Sequence, residues 1–126
     1  TDIASYNDLG GKAVGVQNDT TGDIEAGKIG GVIIHRYDDI ELAFQDLINA
    51  QLDAVIADNP LALSIVGRNP ERLKTVGDVF TDENYGIAVC KTETNLVNKI
   101  NIALAELRAD GFIDDLTQTW IVGSNP

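Results

Sequence analysis

A single cysteine, Cys90, stands in the 126-residue chain, so no intrachain disulfide can form and no zinc site can be built on thiolates. Cations are sparse too: Lys and Arg number 9 against 20 Asp and Glu, a formal net charge of −11. Phosphate backbones need clustered positive charge, so a nucleic-acid partner is excluded from the expectations. An anionic membrane face is disfavoured for the same reason. Apolar runs such as Ala54 to Ala57, or Leu61 to Val66 broken by Ser64, fall far short of the roughly 20 residues that span a bilayer. No basic stretch followed by an apolar one opens the chain, so an export signal is expected to be absent or removed. Methionine is missing altogether, which predicts a processed piece or an excised domain.

With 44% hydrophobic and 23% charged residues, the composition is that of an ordinary folded domain. The length predicts one compact domain, which buries roughly two-thirds of the surface of its unfolded chain. Lys12 to Val16 reads as a buried strand running into the polar turn Asn18 to Asp23, with a short helix over Asp23 to Lys28 ended by Gly30-Gly31. The β-branched stretch Val32 to Tyr37 reads as a second strand, and Asp38 and Asp39 offer an N-cap. Ile40, Ala43, Phe44, Leu47 and Ile48 then form one apolar helical stripe. Asp53 to Ala57 is a third strand, followed by a helix with Asn59 as N-cap and Pro60 at its first position, ending near Gly67.

Leu73 to Phe80 reads as extended with a bend at Gly77-Asp78, and Tyr85 to Cys90 as another strand. Helices are predicted over Asn95 to Asp110 and Phe112 to Thr119, separated by Gly111. Strands alternating with helices predict an α/β fold with a mainly parallel sheet covered on both faces.

Three places could carry chemistry. At the turn Asn18 to Asp23, a strand delivers Thr20, Thr21 and Gly22 to a helix start, where N–H groups, hydroxyls and the helix dipole suit an anion. The spacing matches neither GxxxxGK[ST] nor GxGxxG, and a carboxylate fits better than a phosphate. A threonine that merely caps the helix is the plainer alternative. Asp58 sits where a parallel strand ends and a helix begins, the edge at which α/β sheets place ligands; it could hold an ammonium group, or simply cap beside Asn59. Taken together, a carboxylate site and a cation site at strand ends of one sheet match the two charges of an α-amino acid. His35, the only histidine, lacks the partners catalysis needs and reads as a core-edge or surface residue. Cys90 reads as a small hydrophobe, Trp120 as a packing residue, and the dispersed carboxylates show no calcium-loop spacing.

Five segments occur in an order that resembles a known family: Tyr6 to Lys12, Gly15 to Asp23 (GVQNDTTGD), Leu52 to Pro60 (LDAVIADNP), Glu83 to Lys91 (ENYGIAVCK) and Asn98 to Trp120. Across nearly the whole chain they resemble the amino-acid-binding solute receptors of ABC importers, periplasmic binding proteins of type 2, and more narrowly the polar amino-acid receptors for glutamine, histidine and lysine/arginine/ornithine. The resemblance implies a two-lobed α/β receptor that closes on its ligand. Residues 1–84 match the second lobe. Residues 85–126 match the returning hinge strand and the C-terminal helices of the first lobe, whose N-terminal part is missing.

On this resemblance Thr20 and Thr21 hold the ligand carboxylate, Asp58 the α-ammonium, and Gln17 faces the ligand side chain. The chain departs from the family pattern in two places. Asp19 stands where the family usually has glycine before the threonine pair, and Thr119 to Gly123 replaces the common K-W-F-G. The implied partners are a polar amino acid and, in the full-length protein, an ABC permease, in an extracytoplasmic location. No catalytic residue, metal or cofactor is implied. An orphan strand and an apolar helix in residues 85–110 predict that this segment folds back on the lobe or pairs with a second copy, with exchange as one form of that pairing. Two other uses of the fold stay open: a sensor domain of membrane kinases and ligand-gated channels, and a periplasmic cyclohexadienyl dehydratase.

Overall fold

The computed structural model describes residues 2–81 and 85–122. Its elements are β1 (Ala13–Gln17), α1 (Thr21–Ala26), β2 (Ile33–Tyr37), α2 (Ile40–Ile48), β3 (Ala54–Ile56), α3 (Asn59–Arg68), α4 (Thr94–Ala109) and α5 (Phe112–Thr117). A 3-10 turn at Tyr6–Leu9 precedes β1, and a π-helical stretch, Gln118–Val122, follows α5. The described residues divide into two compact units between Val79 and Phe80.

In the first unit β1 is the central strand, parallel to β2 on one side and to β3 on the other. Alternation along β1 sends Val14 and Val16 to one face, where they meet Ile3, Leu9, Ala26 of α1 and Ile56. Ala13 of β1 and Val55 of β3 turn to the other face, against Ile40, Ala43 and Phe44 of α2 and Ile65 of α3. Helices therefore cover both faces, the α/β arrangement that the strand and helix alternation predicts. Gly15 shows how close α2 comes: a Cβ there would lie 2.7 Å from Leu52 Cδ1 and 3.0 Å from Ala43 Cβ. At the opposite end of the strands, the Asp53 carboxylate accepts the N–H of Ala13 at 2.9 Å and ties the start of β3 to the start of β1.

Helix boundaries follow their caps. Asp39 caps α2 by accepting the N–H of Glu41. The first helix starts two residues earlier than its apolar pattern suggests, because Thr20 caps it, and it ends before Gly27. On α3, Asp58 and not Asn59 occupies the N-cap position, and Pro60 is the second helical residue. Either position leaves the missing N–H of proline uncounted in the helix ladder, so both starts are compatible with the same sequence.

In the second unit, α4 and α5 form as expected, but the strand predicted over Tyr85 to Cys90 does not. A strand is stabilised through a ladder, and no partner strand stands beside these residues among those described. Tyr85, Ile87 and Val89 instead line a shallow groove with Val97, Ile100 and Leu104 of α4. No residue of α4 or α5 is buried. The domain boundary expected after Asn84, the start of the Glu83 motif, and Gly123 lie outside the described residues.

Candidate functional site

The strand order β2-β1-β3 makes the chain leave β1 in one direction and return on its other side. The C-terminal ends of β1 and β3 therefore flank a topological switch point, where connections diverge to opposite faces and leave a crevice for ligands. The turn carrying Thr20 and Thr21 follows β1, and the loop carrying Asp58 follows β3. The sequence-predicted residues are thus delivered to one edge of the sheet by neighbouring strands.

Thr20 is the N-cap of α1. Its Oγ1 donates to the carbonyl of Gln17 at 2.8 Å and accepts from the N–H of Asp23 at 3.4 Å. The hydroxyl is therefore committed to the turn in this state. Thr21 opens the helix with an exposed side chain. Because the first turn of a helix has no intrahelical acceptors, the N–H groups of Thr21 and Gly22 point outward and can meet an anion. Asp19 adopts the left-handed conformation, φ 58°, that glycine would take more readily, and the short polar side chain tolerates it.

Asp58 is exposed, its backbone extended at φ −58° and ψ 136°, and its carboxylate makes no capping bond to α3. It is free to meet an ammonium group. Gln17, half-buried at the end of β1, uses its amide nitrogen on the Asp38 carbonyl at 3.2 Å, which leaves the amide oxygen as an acceptor.

Two residues fix the geometry: Gly22, already part of the predicted turn, and Arg36, which the sequence did not place at the site. Gly22 is the first: a Cβ at this position would sit 3.2 Å from Ile56 Cγ2 and 3.3 Å from the Ile56 carbonyl. The start of α1 therefore rests directly on the end of β3, two residues before Asp58, and brings the two loops together. Arg36 is the second. From β2 its Nε reaches both carboxylate oxygens of Asp23, at 2.9 and 3.0 Å. The guanidinium holds the Asp23 carboxyl below the usual carboxylate range, and Asp23 in turn raises the pKa of Arg36. Only a glycine at a helix start and an acidic residue in its first turn hinted at these roles.

The remaining candidates stay outside this arrangement. His35 is exposed on β2. Cys90 is exposed rather than buried, and a hydrogen bond with the Thr92 hydroxyl at 3.3 Å lowers its pKa. Trp120 is 71% exposed and packs less than its expected role requires. Among the described residues no group of three His, Cys, Asp or Glu side chains is placed to hold a metal, and no helix is long and apolar enough to cross a membrane.

Comparison with known proteins adds the family. No protein-family model matches the chain. The L-cystine-binding protein TcyJ of Escherichia coli K12 is 32% identical over 119 residues, covering 94% of this chain and 45% of TcyJ. The ABC transporter glutamine-binding protein GlnH of Bacillus subtilis strain 168 is 31% identical, covering 94% of this chain and 44% of GlnH. The chain thus spans about half the length of the curated relatives it matches. Among solved structures, an ancestral arginine-binding protein bound to arginine superposes with a TM-score of 0.76 and 41% identity, over 95% of this chain and 55% of that one. Domain 2 from TmArgBP matches at 37% identity and a TM-score of 0.58, over 64% of this chain and 90% of that domain. On the switch-point geometry and these matches together, the chain belongs to the amino-acid-binding solute receptors of ABC importers.

Proposed function

We propose that the chain supplies one lobe of an extracytoplasmic receptor that holds a polar amino acid for an ABC importer and performs no chemistry on it. Residues 1–84 are the lobe, and residues 85–126 are the returning hinge segment and C-terminal helices of the other lobe. The observation that carries the reading is the close approach of Gly22 to Ile56, which brings the turn of Thr20 and Thr21 beside the loop of Asp58. Thr21 and the N–H groups of the first turn take the α-carboxylate, with Thr20 shaping that turn; Asp58 takes the α-ammonium, and the free oxygen of Gln17 faces the side chain. The names of the relatives, which bind cystine, glutamine and arginine, support the ligand class. With a net charge of −11, the lobe receives a zwitterion or a cation more readily than a dianion. The exposed apolar side chains along residues 85–110, Ile87 and Leu96 among them, support pairing of this segment with a second copy, as a homodimer or by domain exchange.

A half-site binds weakly, because each absent charged hydrogen bond costs about 1.5–3 kcal/mol, roughly 10- to 150-fold in affinity. Affinities near the millimolar range are expected for this chain, within reach of an amide-resolved NMR titration. L-glutamine and L-arginine should shift the amide signals of Thr21, Gly22 and Asn59. The N-acetyl and methyl-ester derivatives, each lacking one charge, should shift them less. The reading fails if none of these signals responds at roughly 100 mM ligand.

A further inference from the structure

Two carboxylates crowd the turn assigned to the ligand carboxylate. Asp19 precedes it, and Asp23 lies in its first helical turn with a side chain only 14% exposed. Left alone, they would repel an incoming anion. Arg36 answers both. It shares a cross-sheet row with Val16 and, beyond it, Ile56, since Val16 pairs with Arg36 on one side and with Ile56 on the other. That row lies on the face covered by α1, because Val16 and Ile56 pack against Ala26. The first turn of α1 is consequently pinned at two points of one row: Gly22 rests on Ile56, and Asp23 is gripped by Arg36. Asp19, the residue in the left-handed conformation, immediately precedes the N-cap Thr20, so a shift of the first turn of α1 reaches its backbone. The Asp19 charge is itself close enough to Arg36 to be felt by the guanidinium.

We propose that Arg36 is a positioning residue for the carboxylate half of the site: through Asp23 it sets the first turn of α1 over the sheet, and its charge offsets Asp19 and Asp23 where an anionic group docks. The inference rests on the amino-acid-receptor reading above. The ion pair spans thirteen positions and joins a helix to a strand, so it is not a routine helical pair.

The test uses the 126-residue chain, L-glutamine as a ligand with an uncharged side chain, and the variants Arg36→Met and Arg36→Lys. Affinity is read from the Thr21 and Gly22 amides at about 20 and about 300 mM NaCl, two salt levels that differ strongly in screening. Arg36→Met should weaken binding at least about tenfold at low salt, the scale of one charged hydrogen bond. The deficit should shrink at high salt as the exposed repulsion is screened, and Arg36→Lys should recover most of the affinity. A purely structural defect would not respond to salt. Binding by Arg36→Met within about twofold of the parent, or a deficit indifferent to salt, overturns the proposal. If the parent chain itself shows no response at Thr21 and Gly22, the receptor reading is what fails. The three-bond amide coupling of Asp19 then decides on Arg36: it moves in Arg36→Met if this residue positions the turn, and stays if it does not.

Discussion

Replacing Gly15 by alanine tests whether the close approach of α2 to the sheet is as tight as the structure shows. The added Cβ would meet Leu52 Cδ1 at 2.7 Å, Ala43 Cβ at 3.0 Å and Val55 Cγ2 at 3.3 Å. Leu52 could swing aside in isolation, but it is itself buried with Ala43 and Phe44 in the same cluster. Ala43 sits on the helix backbone and can retreat only if α2 moves. Two effects compete. Alanine reduces the freedom of the unfolded chain and stabilises by about 0.4–1 kcal/mol, while overpacking a filled core costs about 1–3 kcal/mol. The clash wins, and Gly15→Ala should destabilise the first unit by about 1–2 kcal/mol. Urea unfolding followed at the Val14 and Val16 amides reads that unit alone. Ala43→Gly removes the least movable of the three contacts at a helix-propensity cost of about 1 kcal/mol. The double variant should therefore be less destabilised than the two single effects combined, by about 1 kcal/mol. Equal or higher stability for Gly15→Ala, or strict additivity in the double variant, would refute the packing argument.

Removing the Thr20 cap with alanine should cost about 0.5–1 kcal/mol, the low end for N-caps because the bond to Asp23 is long at 3.4 Å, and thermal unfolding measures it. Asp58→Asn should leave stability within about 0.5 kcal/mol, since the exposed carboxylate makes no capping bond, while lowering amino-acid affinity about tenfold or more in the same NMR titration. Asp8 accepts the N–H groups of Ala4 and Ser5 and the Ser5 hydroxyl, and these bonds hold its carboxyl below the ordinary 3.8. A depressed folded-state pKa contributes stability that is complete above the unfolded value and is lost as pH falls through the folded one. Melting temperatures of the parent should therefore drop below about pH 4, and Asp8→Asn should flatten that part of the acid slope; an unchanged slope would contradict the assignment.

Local pattern made the three strands and the five α-helices of the described residues readable to within one or two residues. Val14 and Val16 and the stripe from Ile40 to Ile48 report burial directly: the first unit buries Val14, Val16, Ile40, Ala43 and Phe44 and half-buries Leu47 and Ile48. The strand expected at Tyr85 to Cys90 shows the opposite case. Its β-branched pattern is real, yet Tyr85 remains 86% exposed, because a strand exists only where a second strand offers hydrogen bonds. The site was half legible. Thr20, Thr21 and Asp58 could be placed at strand ends from turn chemistry, and Gln17 only from the family resemblance. The contacts of Gly22 with Ile56 and of Arg36 with Asp23 could not be read, since they are set by how α1 crosses the sheet and not by any spacing along the chain.

The central position of β1 also bears on synthesis. Its partners at Ile33 and Ala54 both follow it in the chain, so the most deeply packed strand leaves the ribosome first, with both edges open. At about 5–20 residues per second, several seconds pass before β3 can dock on the second edge. During that interval Val14 and Val16, sealed from solvent in the finished lobe, lie on an unprotected strand. A sheet that reverses direction around β1 thereby makes that strand the segment most dependent on prompt completion while the chain is being made.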